Sequence, residues 1–374
     1  IPGDLIWSFP TFSGSWSSPV VVDGMIYVGS NDGKIYCLKA DTGKMLWNYE
    51  IGRIGFSSPA VFDDIVYIGS VGGAVYCLDS NNGDFIWDYS TGSQVSSSPT
   101  VASGKVYFGS LDGYVYCLNA YTGEFVWCFQ TRGEVWSSPA VSEDYLYIGS
   151  MDGFLYCLDA DSGNLVWKCE VGDGRLSSPV VIEERVYICS KYGVYCFNSF
   201  TGSPFENWYP GIRGDFSDLS PAVVDGEVYI GGPGGIVCLN SETGDIIWEY
   251  TENKRISIDS SPVFASGQIF AGLSNGDIIS LNSLSGDFLW SNPTSGNIYS
   301  TPSVASDRLF VSSHDGWIYC LGSSSIPPIR QANIEITRLS NSTRHPASAF
   351  ISGETVWISG RIKPELALDI LVTF

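Results

Sequence analysis

Short apolar runs of strand length recur along the chain, cut at regular intervals by turns that carry glycine. In the first such unit Ser18–Val22, Met25–Ser30, Lys34–Ala40 and Lys44–Glu50 alternate or run apolar, separated by Asp23-Gly24, Asp32-Gly33 and Thr42-Gly43. Period-two patterning over these lengths predicts strands, and glycine suits turn positions that need positive φ. The unit therefore reads as a four-stranded meander. One such sheet cannot bury both of its faces alone, so successive sheets are expected to stack radially.

The unit repeats with a period near 40 residues. Pro19, Pro59, Pro99, Pro139, Pro179, Pro221, Pro262 and Pro302 mark eight copies, with spacings of 40, 40, 40, 40, 42, 41 and 40. The expected fold class is all-β: an eight-bladed β-propeller of four-stranded blades. Outer-strand tryptophans fall at Trp47, Trp87, Trp127, Trp167, Trp208, Trp248 and Trp290, while the eighth unit stops after Tyr319-Cys320-Leu321 without one. Asp4–Pro10 reads like the missing outer strand and carries Trp7, so it is expected to complete blade eight and close the ring edge. A tryptophan in one slot of every blade is what packing between blades requires.

Composition narrows the function. With 44% hydrophobic and 14% aromatic residues in 374, the chain can bury a large core, and a net charge of −21 argues against nucleic acid and against an anionic membrane surface. No apolar run reaches bilayer length, so no direct membrane insertion is expected. The N-terminus, Ile1, reads as processed or engineered. Seven of the ten cysteines (Cys37, Cys77, Cys117, Cys157, Cys196, Cys238 and Cys320) occupy one third-strand slot, with Ser280 in the eighth copy. One per blade suits buried small residues and spreads them too widely for a metal site, so no metal is expected. Cys189 and Cys196 flank a hairpin turn and are a candidate disulfide.

The words Ala40-Asp41-Thr42-Gly43 leading to Trp47, and Ala120-Tyr121-Thr122-Gly123 leading to Trp127, resemble the pyrroloquinoline-quinone-like propeller repeat over roughly residues 4–322. The resemblance implies that each tryptophan docks between neighbouring blades. The repeat serves quinoprotein dehydrogenases and non-enzymatic scaffolds alike. The dehydrogenases it points to need calcium ligands, a catalytic carboxylate, cofactor-stacking groups and usually an adjacent cysteine pair. This chain has no adjacent cysteines, no Asp-rich calcium loop and only His314 and His345, so no catalytic residue and no cofactor is assigned.

The division expected is a propeller over 1–322, a linker over 323–333 and a segment over 334–374. In that last segment Ile334–Leu339, Thr355–Ile362 and Leu368–Phe374 read as strands resembling the start of an immunoglobulin-like sandwich of microbial surface proteins. Three strands do not make a stable sandwich, so completion by another chain is one expectation. Asn341-Ser342-Thr343 is a candidate glycosylation site there.

Binding residues should lie where the repeats differ. The loops approaching the innermost strands carry Trp16, Phe56, Trp136, Leu176 and Tyr299 just before Ser-Ser-Pro or Ser-Thr-Pro, a partial apolar ring at the channel mouth. The same loops carry Arg53, Arg132, Arg175, Arg213 and Arg255, and aromatic plus Arg is a hot-spot composition. The opposite face holds acidic turns such as Asp23, Asp63, Glu143, Glu183 and Asp225, a pairing of faces that permits head-to-tail stacking into fibres. The expected function is a non-enzymatic scaffold of a secreted or cell-surface protein. It binds a protein partner, itself or a polysaccharide. The alternatives are a quinoprotein-type dehydrogenase or a sugar- or quinone-binding protein, and a periplasmic envelope assembly factor of the same repeat family, which lacks here a lipidation cysteine near Ile1.

Overall fold

The computed structural model describes residues 1–205, 208, 212, 214–251 and 257–323, together with the backbone of strands Ser348–Ser352 and Thr355–Ser359. The described residues contain strands and no helix, arranged as eight consecutive antiparallel sheets and a separate two-stranded hairpin. The ring is an eight-bladed propeller.

Blade one shows why the repeat folds as it does. After the first strand, β1 (Asp4–Pro10), come β2 (Val20–Val22), β3 (Met25–Gly29), β4 (Lys34–Lys39) and β5 (Met45–Glu50), hydrogen-bonded in that order from the channel outwards. The inner turns use left-handed backbone, with φ 49° at Asp23 and 73° at Gly24, the pattern of a two-residue hairpin turn that follows the twist of its strands. Asp63, Glu143, Glu183 and Asp225 take the same conformation, so these acids are first of all turn residues. At the other end of the blade the Asp-Gly turn is fixed by its own carboxylate: Asp32 accepts the Lys34 backbone N–H at 3.1 Å and the Tyr36 hydroxyl at 2.5 Å.

Each blade buries one face on the next. Tyr27, Ile35, Cys37 and Trp47 of blade one pack with Val66, Ile68 and Leu78 of blade two. Across the outer strand pair Cys37 faces Trp47, and the same register puts Cys77 opposite Trp87, Cys117 opposite Trp127, Cys157 opposite Trp167, Cys238 opposite Trp248 and Ser280 opposite Trp290. The slot is small because it faces an indole. Each indole then donates its Nε1–H to a carbonyl of the following blade: Trp47 to Ser80 at 2.9 Å, Trp87 to Ala120 and Trp127 to Ala160 at 3.1 Å, Trp167 to Ser199 and Trp208 to Ser241 at 2.9 Å, and Trp248 to Ser283 at 2.8 Å. The docking implied by the Thr-Gly repeat words is present at every blade, with serine serving as well as alanine.

The glycine of those words has a mechanical reason. Gly43 lies in the left-handed region at φ 68°, and a Cβ there would come within 2.6 Å of the Trp7 ring. Only glycine lets the neighbouring indole lie flat on the turn.

Closure runs through the N-terminal strand. β1 pairs antiparallel with Trp317–Gly322, Trp7 facing Cys320, and joins Ser303–Ala305 and Arg308–Ser312 as the outer strand of blade eight. Trp7 donates to Ala40 O at 3.1 Å, and Trp290 of blade seven donates to Ile1 O at 2.9 Å. A substitution has been absorbed here. In blades one to five a tyrosine hydroxyl shares the indole's carbonyl, as Tyr27 does on Ser80 and Tyr67 on Ala120. Blade eight has Phe310 instead, and the buried Arg308 supplies the donor, its Nη1 reaching Ala40 O at 3.2 Å and Asp41 O at 2.9 Å.

In blade five the described residues form three strands, Val180–Ile182, Arg185–Ser190 and Gly193–Asn198, and much of the stretch around Trp208, where its outer strand is expected, lies outside the described residues. Between Gly202 and Trp208 lie five residues where Gly43 and Trp47 are separated by three, and one of them, Pro204, has no N–H to give a ladder. Among the described residues Phe197 bridges to Pro204, and Trp208 docks on Ser241. Near the C-terminus Ser348–Ser352 pairs with Thr355–Ser359; the second strand falls within the expected Thr355–Ile362 and the first was not foreseen. Ile334–Leu339, Leu368–Phe374 and Asn341 lie outside the described residues, and with them the immunoglobulin-like reading and its completion by another chain.

All ten cysteines are free, Cys189 facing Val194 and Cys196 facing Tyr187 across their hairpin, so the candidate disulfide does not form. Burial pushes the thiols of Cys37, Cys77, Cys117, Cys157, Cys238 and Cys320 up to about 12. Because the thiolate is the reactive form, a thiol reagent at mildly alkaline pH should label the exposed Cys128 in the folded protein and all ten cysteines only after denaturation, read by mass spectrometry. Deleting Ile1–Pro10 should cost at least ~3 kcal/mol, the scale of one tryptophan lost from its packing, and lower the thermal midpoint measured by calorimetry; an unchanged midpoint would contradict closure by β1.

Candidate binding face at the channel mouth

The mouth is built on two serines. The first serine of each Ser-Ser-Pro ties its blade's inner strand to the end of the second: Ser57 Oγ accepts the Gly69 N–H at 2.9 Å, Ser97 Oγ that of Gly109 at 3.0 Å, Ser177 Oγ that of Cys189 at 2.9 Å and Ser260 Oγ that of Gly272 at 2.7 Å. The second serine links blades. Ser18 N–H donates to Ser58 Oγ at 2.8 Å, and Ser58 to Ser98, Ser98 to Ser138 and Ser138 to Ser178 at 2.9 Å; Ser220 donates to Ser261 and Thr301 to Ser18 at the same distance. This belt around the channel holds the residue just before each serine pair at a fixed place on the mouth.

That slot reads Trp16, Phe56, Ser96, Trp136, Leu176, Asp218, Asp259 and Tyr299 from blade one to blade eight. The aromatic members converge into a cluster. Trp16 is sandwiched between Phe56, with centroids 4.7 Å apart and planes 11° apart, and His314, at 5.6 Å and 10°. Tyr299 meets His314 edge-on at 6.1 Å, and Phe56 meets Trp136 edge-on at 6.1 Å. Phe56 and Trp136 belong to blades two and four. They reach each other over blade three, where the slot holds only the buried Ser96.

Leu176 is not part of the mouth. It is 2% exposed, bridges to Ser190 and packs against Gly149 as Val135 packs against Gly109. Blades three and four fill this core position with Val95 and Val135, but between Val171 and Leu176 the loop offers only Gly172-Asp173-Gly174-Arg175, so Leu176 turns inward. Its neighbour Arg175 takes over the mouth. The guanidinium lies 4.5 Å from the Trp136 ring centroid and 5.6 Å from that of Phe56, and its Nη1 is 2.6 Å from an oxygen of Asp218. Burial lowers the Arg175 pKa and the Asp218 carboxylate opposes that shift. Arg53 lies 5.4 Å from the Trp16 centroid.

Arg132 sits apart from the cluster. It lines an open polar groove of about 730 Å³ between blades three and four with Gln130, Thr131 and Glu134, while Glu134 accepts the Trp136 indole N–H at 2.8 Å. Arg213 and Arg255 lie outside the described residues.

Three mouth residues were not foreseen from sequence. Asp218 and Asp259 fill the slot in blades six and seven, and the signal was present, since each precedes the serine-proline words as Trp16 does. Asp259 accepts a hydrogen bond from Ser257, and burial together with the Asp218 charge holds its carboxyl above the ordinary carboxylate range. His314 comes from an Asp-Gly turn and carries no slot signature. Phe12, at φ 61° and 87% exposed, stands where blade two has Gly52 at φ 78° on the same face. The mouth is thus a stacked plug on one side and a carboxylate pair on the other, spanned by Arg175. Truncating Leu176 to Ala should cost about 2–5 kcal/mol as a core deletion, whereas Phe56→Ala, at a site 38% exposed, should cost about 1 kcal/mol, both by denaturant melts.

The propeller has many solved counterparts. BamB from Moraxella catarrhalis superposes with a TM-score of 0.71 at 20% identity, covering 86% of this chain and 100% of that one. The computationally designed Ika8 protein gives 0.77 at 16% identity, covering 86% and 100%. Quinohemoprotein alcohol dehydrogenase from Comamonas testosteroni gives 0.72 at 16%, covering 89% and 78%. These likenesses establish the fold. Among curated proteins none matches the sequence. A family model described as outer membrane protein assembly factor BamB matches residues 2–64, 52–216 and 111–325, the whole propeller, and the chain belongs to that family.

Proposed function

We propose that this chain is a non-enzymatic interaction module working outside the cytoplasm, with the plugged channel mouth as its contact for a protein partner. The observation that carries the reading is the engagement of the ring faces. Trp16 has Phe56 on one face and His314 on the other, and Phe56 and Trp136 share the Arg175 guanidinium. A planar quinone or a sugar ring binds an aromatic site by stacking on a free face, and both faces of Trp16, at the centre of the cluster, are occupied. What the cluster offers is apolar edges held rigid and rimmed by Arg and Asp, a surface of the kind that protein side chains use as an anchor.

The family's description as an assembly factor for outer membrane proteins supports a protein partner and a location in the cell envelope, periplasmic or surface-exposed. Head-to-tail stacking draws less support than the sequence lent it. Asp218 and Asp259 put two carboxylates in the slots of the mouth, which weakens its match to a second acidic face in a chain of net charge −21.

Titration with pyrroloquinoline quinone and calcium, followed by absorbance and dye reduction, should show no stoichiometric binding; stoichiometric binding with dye reduction would establish the dehydrogenase reading instead. In parallel, Trp136→Ala should lower the affinity of peptides selected by display on the native chain about tenfold, the scale of one anchor residue, while leaving the thermal midpoint within a few degrees.

A further inference from the structure

One residue of the mouth face is held in a state that is unfavourable twice over. Phe12, in the loop that enters blade one, has φ 61° and is 87% exposed. Left-handed backbone crowds the Cβ of any residue but glycine, and an exposed phenyl ring forgoes the free energy of burial. The repeat does not impose this conformation. Arg132 and Ser295 hold the same loop position in blades four and eight outside the left-handed region, each donating its backbone N–H to the aspartate of its blade's Asp-Gly turn, Asp152 at 3.0 Å and Asp315 at 2.9 Å. Where blade two turns left-handed, at φ 78°, it uses Gly52.

Phe12 is also fixed in place. Before it, Thr11 donates its N–H to Gly316 O at 2.7 Å and its hydroxyl to Ser13 O at 2.9 Å; after it, Gly14 O accepts the Asn31 N–H and Ser15 N–H donates to Ser313 O, both at 3.2 Å. The loop is thus pinned to the Asp-Gly turns of blades eight and one on either side of the ring. Trp317, 39% exposed, lies at the same junction, opposite Pro10 in the ladder that closes blade eight.

We propose that Phe12 is the anchor of the contact, a rigid knob that enters an apolar pocket on a different protein, with basic residues around that pocket. This rests on the reading of the mouth face as a protein contact and names the residue that leads it. A convex aromatic side chain fits a concave site, and one already fixed by its loop loses little entropy on binding. The net charge of −21 sets the sign of the partner's rim and makes a second copy of this chain the poorer occupant.

Two measurements on the full chain test this. Phe12→Gly should raise the thermal midpoint, because glycine relieves the left-handed backbone and little packing is lost; a lower midpoint would mean that Phe12 serves the fold, and the proposal falls. For binding, photoreactive benzoylphenylalanine is placed in place of Phe12, of Trp136 or, as a control in a turn at the other end of the blades, of the 77% exposed Leu284, and irradiated in the cells that produce the chain. The probe at Phe12 should give an adduct with a different protein. That protein, purified, should bind the native chain about tenfold or more tighter than the Phe12→Gly chain, with an affinity that falls as salt rises. Adducts from Trp136 but not from Phe12, or a partner that binds the Phe12→Gly chain equally well or regardless of salt, would overturn the anchor and leave the mouth as a protein contact. Adducts no different from those at Leu284, or formed with a second copy or with this chain's own residues, overturn it as well. If neither Phe12 nor Trp136 gives an adduct, the contact reading falls with it.

Discussion

The ring depends on a single contact made eight times, an indole N–H donated across a blade junction to a main-chain carbonyl. The donors run from Trp7 on Ala40 to Trp290 on Ile1, and every one lies within 2.8–3.1 Å of its acceptor. Around it the other invariants of the repeat fall into place. The glycine before a tryptophan gives the preceding indole room to lie flat, as at Gly3, Gly43, Gly83, Gly123, Gly163, Gly202 and Gly286, and the small Cys or Ser opposite, as at Cys37 and Ser280, gives the indole itself room. Where the auxiliary tyrosine is lost at Phe310, an arginine is buried to keep the carbonyl served. Ala40 O keeps the Trp7 indole in any case, so Arg308 adds a second donor there, in the role the tyrosine hydroxyl has in blades one to five, and also serves Asp41 O.

Regularity made the architecture legible and hid the serines. Proline spacing, tryptophan slots and the orphan strand at Asp4–Pro10 were sufficient for eight blades and their closure, because each is a periodic signal with one geometric solution. Ser-Ser-Pro was visible as a landmark, but its two distinct tasks were not, since a hydroxyl can accept from any nearby N–H and only coordinates show which. Blade five shows the limit of counting. Its extra length before Trp208 was recorded in the 42-residue spacing, and what that spacing could not say was that the indole would keep its place on Ser241 all the same.

The mouth was partly readable. Aromatic residues stand out against serine-rich surroundings, whereas Asp218 and Asp259 hold the same slot without standing out, because acidic residues are common in this chain's loops. Leu176 went wrong for a physical reason: sequence alignment gives the slot, but the core takes the nearest apolar side chain, and blade five supplied no other. The consequence is that Arg175, not Leu176, links the two halves of the mouth.

The pairing of Asp4 with Gly322 also sets how the wheel is mounted. Chain arriving at Asp4 and chain leaving beyond Gly322 meet at one point on the rim, at the end of the blade where the inner hairpin turns lie. The plug sits at the other end of the blades. Anything joined to this propeller through those two strand ends therefore carries it like a lamp on a single bracket, with the aromatic and acidic mouth directed away from the support.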